Sequence, residues 1–185
     1  MTDRGLEMSV ELTKLIPEFN EIRDEGLRQK TLAVWEEALT TGGWSTADLA
    51  QMPFTLLAED VKVSFAEHVS TVARLCIAMD NVLRQAYGEK FEGDRDTLVA
   101  GALLADVGKL IEFERKDGKY QFASMYQYLR HPFTGVGLCY KHGIPKAVMH
   151  VVATHSWEGD KFKRRPESII FHHADFTDFD LERYK

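Results

Sequence analysis

The chain has 185 residues, 23 Lys+Arg against 29 Asp+Glu, seven His and a formal charge of −6. That length suits one domain of roughly 100–200 residues, large enough to bury about 70% of its unfolded surface without a disulfide or a structural metal. The acidic balance argues against nucleic-acid partners, no run reaches the ~18 apolar residues of a membrane span, and the N-terminus has no long apolar core.

Helical spacing dominates from the start. Ile22, Leu27, Leu32, Trp35 and Leu39 predict a helix over 18–39, stopped by Thr41-Gly42-Gly43. Ser45-Thr46-Ala47-Asp48 resembles a capping box that opens a short helix ending before Pro53. A longer helix is predicted over 59–87, where Phe65, Val69, Val72, Cys76 and Met79 form one apolar stripe and His68 lies on it. Asp94 or Asp96 caps the next helix. Its residues 98–104 are apolar or glycine without a break, the mark of a central, fully buried helix. That helix is predicted to run through Ala105, Asp106 and Val107 to a C-terminal cap at Gly108.

Asp117-Gly118 marks the one surface hairpin. Pro132 suits the first turn of a helix that stops at Gly143, and Pro145 begins another with Val148, Val151, Val152 and His155 on one face. After a polar loop over 157–165, a last helix runs from 166 or 167 to 182. The class is all-α with short connections. Cys76 and Cys139 sit in apolar helical stretches without a CxxC pair, which fits a reducing, cytoplasmic compartment.

Asp106 is the chief anomaly, because a carboxylate at the end of a buried helix is costly unless it is paired, protonated or bound to metal. An ion pair with Lys109 in the next turn is its ordinary explanation. His68 and His155 on apolar faces, His131 before Pro132, and Asp175 beyond Ile169, Ile170 and Phe171 each have ordinary explanations too. Together, three histidines and two aspartates at apolar faces or helix ends point to metal binding or acid–base chemistry. Imidazole and carboxylate suit Zn, Fe, Mn and related ions.

The order of these residues resembles the HD-domain superfamily of metal-dependent phosphohydrolases, whose pattern is H…HD…D with HDxGK around the doublet. His68, Ala105-Asp106-Val107-Gly108-Lys109, His131, His155 and the terminal Ala174-Asp175-Phe176-Thr177-Asp178 carry the likeness over roughly residues 60–180. The resemblance implies an HD-domain-like helical bundle over 61–185; residues 1–60, which match nothing in that pattern, read as an N-terminal helical extension packed on it. It implies one or two divalent metal ions (Fe, Mn, Zn, Ni, Co or Mg). His68, Asp106 and Asp175 would hold the first, and Asp106 would bridge to a second on His131 and His155.

The departure is Ala105, where the family has the histidine of its doublet. Three readings stand: an alanine placed to silence the site, a natural member with fewer ligands, or a relative that has lost the chemistry. If the site is active, the resemblance implies a hydrolase acting on a small anionic substrate, a phosphoester, through metal-activated water. Asp106 and Lys109 are the catalytic candidates. Lys109, Arg130, Trp157, Lys161 and Arg164 are the substrate-binding candidates, each with an ordinary structural alternative. Two alternatives remain. The chain also resembles small mixed-valence di-iron oxygenases of the same superfamily that cleave C–C or C–P bonds, and a non-catalytic ligand-binding domain is the third reading.

Overall fold

The computed structural model describes residues 3–184, and side chains over 5–184. In chain order the elements are α1 (Asp3–Leu15), a 3-10 turn (Pro17–Glu21), α2 (Glu25–Gly42), a second 3-10 turn (Thr46–Ala50), α3 (Phe65–Tyr87) and α4 (Arg95–Leu104). There follow α5 (Lys109–Glu112), β1 (Phe113–Lys116), β2 (Lys119–Phe122), α6 (His131–Lys141), α7 (Lys146–Thr154) and α8 (Pro166–Arg183). The all-α class holds, and the strands form a single antiparallel hairpin pairing Phe113 with Phe122. Asp117 and Gly118 both take positive φ in its turn, as a primed two-residue turn requires.

The helix that is apolar all round is the axis of the bundle. Every residue of α4 from Thr97 to Leu104 is buried, and α2, α3, α7 and α8 pack against it. Gly101 lets α7 approach closely, since a Cβ there would lie 2.8 Å from the side chain of Val151. The apolar core runs continuously from Leu12 to Ala174. The described part of segment 1–60 is woven into it. Trp35 Nε1–H donates to the Leu103 carbonyl and Trp44 Nε1–H to that of Leu110, each at 2.8 Å and buried.

Three boundaries differ from the sequence expectations. The helix expected over 18–39 is broken at residues 22–24, because both carboxylate oxygens of Asp96 accept backbone N–H bonds from Arg23 and Asp24. Asp24 then caps α2, and Asp94, accepting from Thr97 N–H, caps α4. The helix expected from 59 begins at Phe65, where Ser64 and Glu67 form a reciprocal capping box. The buried helix stops at Leu104, not Val107. Residues 105–108 form a tight turn with Val107 N–H bonded to Leu104 O and Lys109 N–H to Asp106 O. Gly108 has φ −64°, so it is not a left-handed cap. It is glycine because α6 crosses directly over it, with His131 O only 2.2 Å from where a Cβ would stand.

Candidate metal centre

The turn at the end of α4 sets Asp106 in the middle of the bundle, 4% exposed. Its two oxygens face opposite ways into two groups of metal-type donors, Asp106–His131–His155 and His68–Asp106–Asp175. The five residues singled out as ligands in the sequence therefore converge, although they come from α3, the α4–α5 turn, α6, the end of α7 and α8.

In the first group, His131 Nε2 lies 3.1 Å from His155 Nε2, and Asp106 Oδ1 lies 3.4 and 3.6 Å from the two nitrogens. Each ring is fixed from behind. His131 Nδ1–H donates to Glu112 Oε2 at 2.9 Å, and the same oxygen accepts the His131 backbone N–H at 2.6 Å. His155 Nδ1–H donates to the Val152 carbonyl at 2.8 Å. In the neutral rings both Nε2 atoms then carry lone pairs, turned toward each other and toward a carboxylate oxygen. Burial pushes the His131 imidazole below its usual value, a shift that Lys109 and His155 reinforce and Glu112 and Asp106 oppose. With both rings in that form, three buried acceptors face one another; a shared cation removes the conflict, and imidazole nitrogen plus carboxylate is the donor set of a divalent transition metal.

The second group is arranged differently. His68 Nδ1–H donates to Asp178 Oδ2 at 2.7 Å, while Nε2 faces Asp106 Oδ2 at 3.1 Å and Asp175 Oδ1 at 3.2 Å. Burial opposes the charged ring, yet hydrogen bonds to Asp106, Asp175 and Asp178 push its pKa up to about 10. A proton thus sits at Nε2 between two carboxylates, where a metal ion would replace it. Phe54 stacks on the His68 ring at 4.2 Å and fixes its plane. Burial would raise the Asp106 carboxyl, but Lys109 and the His155 and His68 rings beside it hold it well below the usual carboxylate range.

A cavity of about 370 Å³ opens over both groups, with Asp106, His131, His155 and Asp175 in its floor and Phe54, Phe122 and Phe176 in its walls. Lys109 lines it, with Nζ 2.7 Å from Asp106 Oδ2 and 3.1 Å from the Phe54 carbonyl. Arg130 and Trp157 line it as well. Lys161 and Arg164 do not. Arg164 instead binds the Thr154 and Ser156 carbonyls and Asp160, holding the loop after α7. Ala105 is fully buried at the end of α4, and each donor group has three members without it.

Four residues near the site had no assigned role in the sequence. Glu112 and Asp178 orient the imidazoles, Phe54 stacks on His68, and Arg183 reaches the cavity from the end of α8. Asp178 lay inside the terminal Ala-Asp-x-x-Asp segment, so its spacing was the available signal. Glu112 sits on a four-residue helix with no periodicity to expose it. His172 Nδ1–H donates to the His155 carbonyl, and His142 pairs with Glu37 on the far side of α2.

No family model and no solved structure matches the chain. A dihydroneopterin 2',3'-cyclic phosphate phosphodiesterase of Methanocaldococcus jannaschii is 32% identical over 175 residues, which cover 90% of this chain and 68% of that enzyme. At that identity and coverage, the chain belongs to this phosphodiesterase family and is a hydrolase.

Proposed function

We propose that the chain is an HD-type, metal-dependent phosphodiesterase that opens the cyclic phosphate of a small planar-heterocycle derivative, the substrate class in its relative's name. The observation that carries the metal reading is the convergence of His131 Nε2, His155 Nε2 and Asp106 Oδ1, three buried acceptors within 3.6 Å of one another. His68 and Asp175 would complete a second position through Asp106 Oδ2. A bound divalent ion supplies a water of lowered pKa and neutralises charge on the phosphate.

The protein's own groups do the rest. Glu112, Asp178 and the Val152 carbonyl fix the imidazole tautomers and planes, so the ligand atoms are set before substrate arrives. Lys109 keeps Asp106 ionised and presents a cation at the cavity wall, and Arg183 adds a second at the rim. Both would meet the phosphate oxygens. In the reaction a water oxygen bonds to phosphorus and gives up a proton, the bond from phosphorus to one ring oxygen breaks, and that oxygen takes up a proton to become a hydroxyl. The aromatic walls limit access of bulk water and offer faces to a flat ring. With three donors in each group, Ala105 is compatible with an active site that uses five ligands.

The test is elemental analysis of the purified protein beside hydrolysis of bis(4-nitrophenyl) phosphate before and after chelation. Metal near one or two equivalents, with activity lost on chelation and restored by a divalent ion, supports the reading. Stoichiometric dioxygen uptake in place of hydrolysis would favour the oxygenase chemistry of the superfamily.

A further inference from the structure

Arg130 stands in the cavity wall, one residue before the proposed ligand His131. Its carbonyl accepts N–H bonds from Phe133 and Thr134 at 2.9 and 3.3 Å, which ties the base of the side chain to the first turn of α6. The guanidinium itself is built in. It lies over the rings of Tyr126 and Trp157, at 5.4 and 5.7 Å, and Tyr126 is stacked in turn on Phe122 at 3.9 Å. Nε is buried, facing the carboxylates of Glu112 and Glu158 at 3.4 and 3.7 Å. The two terminal nitrogens are not sealed in this way, and among the described residues no acceptor takes a hydrogen bond from them. A rigidly held fork of N–H donors therefore remains for a ligand in the cavity.

The surroundings decide which acceptors suit that fork. Two carboxylates behind Nε offset the single positive charge, so Arg130 offers directional hydrogen bonds more than it offers attraction for an anion. In the proposed function the phosphate belongs to the metal donors and Lys109, and Glu112 stands between that centre and Arg130, with Oε2 on His131 and Oε1 toward the guanidinium. Trp157 lines the cavity beside Arg130 with 61% of its surface exposed, a flat face for a ring.

We propose that Arg130 determines specificity for the heterocycle of the substrate, its two terminal nitrogens donating to a ring carbonyl oxygen and to the ring nitrogen beside it. O6 and N7 of guanine or hypoxanthine, and the matching edge of a 4-oxopteridine, present that pair of acceptors; adenine presents a donor and an acceptor there and does not. The inference deepens the proposed function and rests on it for the cavity that holds the substrate.

The test compares the 2'-monophosphates of guanosine, inosine, adenosine and 7-deazaguanosine by calorimetric titration of the metal-loaded protein. Guanosine and inosine share the acceptor pair and should bind alike, about tenfold or more tighter than adenosine. The 7-deaza compound lacks only the N7 acceptor and should bind more weakly than guanosine, by about threefold or more. Arg130→Lys keeps the charge without the fork and should bring all four to within about twofold of one another. Equal binding of guanosine and adenosine, or of guanosine and its 7-deaza analogue, by the natural protein overturns the proposal. So does a preference that survives in Arg130→Lys, or a loss there that is uniform across the four, which would assign Arg130 to the phosphate. If that variant does not fold, the 7-deaza comparison in the natural protein decides alone. Hydrolysis of bis(4-nitrophenyl) phosphate is measured in parallel. Its absence beside an intact preference overturns the phosphodiesterase reading and supports this one; hydrolysis without the preference overturns this one alone.

Discussion

Gly108→Ala tests how closely the site depends on one backbone crossing. The residue has φ −64°, so alanine meets no conformational penalty there. All of the cost comes from the new Cβ, which would stand 2.2 Å from His131 O, 2.5 Å from Thr134 Oγ1 and 2.9 Å from Gly135 N. Ordinary contact begins at 3.4 Å, so the start of α6 must withdraw by about 1.2 Å. Two of those three neighbours are backbone atoms, which move only with the helix. Overpacking of this kind costs about 1–3 kcal/mol, a fall in Tm of roughly 2–12 °C for a chain of this size. The same movement carries His131 away from Asp106 Oδ1 and His155 Nε2, now 3.4 and 3.1 Å distant. A displacement near 1 Å at a reacting centre costs about 100-fold in rate. The assay is thermal denaturation of the chelated protein, then metal content and kcat for bis(4-nitrophenyl) phosphate. Gly137→Ala is the control, since on the same helix nothing lies within 4 Å of its added Cβ. If Gly108→Ala melts with Gly137→Ala and keeps its metal and rate, the reasoning fails.

Four further outcomes are expected. Asp106→Asn removes the carboxylate common to both donor groups and should leave less than a tenth of the metal and no measurable hydrolysis, as read by elemental analysis and rate. In the metal-free protein the His68 pKa is raised to about 10, so its ionised form contributes stability that is full below the unfolded value near 6.5 and is lost as pH rises through 10. Chemical denaturation of the chelated protein should therefore weaken from pH 7 to pH 10, and adding metal should abolish the slope and release about one proton per ion at that position. Trp35→Phe strands the buried Leu103 carbonyl and should cost about 1–3 kcal/mol by urea denaturation, with metal content unchanged. Ala105→His should slow metal loss to a chelator; an unchanged rate would mean that position 105 does not face the ions.

The legible part of the sequence was the part written in periodicity. The unbroken apolar stretch of residues 98–104 announced the central helix, and the stripe from Phe65 to Met79 placed His68 on an inward face. The proposed ligands were legible because a histidine or aspartate on such a face conflicts with its surroundings. The break at residues 22–24 was hidden because it depends on Asp96, more than seventy positions away. Gly108 was misread as a cap, since a sequence does not show that a distant helix crosses over it. Glu112 gave no signal for a similar reason. A charged residue on a single helical turn reads as solvated, and only the tertiary fold encloses it. The basic run after His155 suggested an anion guide, and in the fold its Arg164 binds loop carbonyls, a contact with no signature in the sequence.

The central claim is that this chain hydrolyses a cyclic phosphodiester with metal held around Asp106. Its most direct test is the rate of ring opening of guanosine 2',3'-cyclic phosphate, followed by phosphorus NMR, as divalent metal is titrated into chelated protein. The account predicts no turnover in the metal-free protein, a rate that rises until one or two equivalents are bound, and no recovery in Asp106→Asn. Full turnover by protein holding only trace metal, or an undiminished rate in Asp106→Asn, would contradict it.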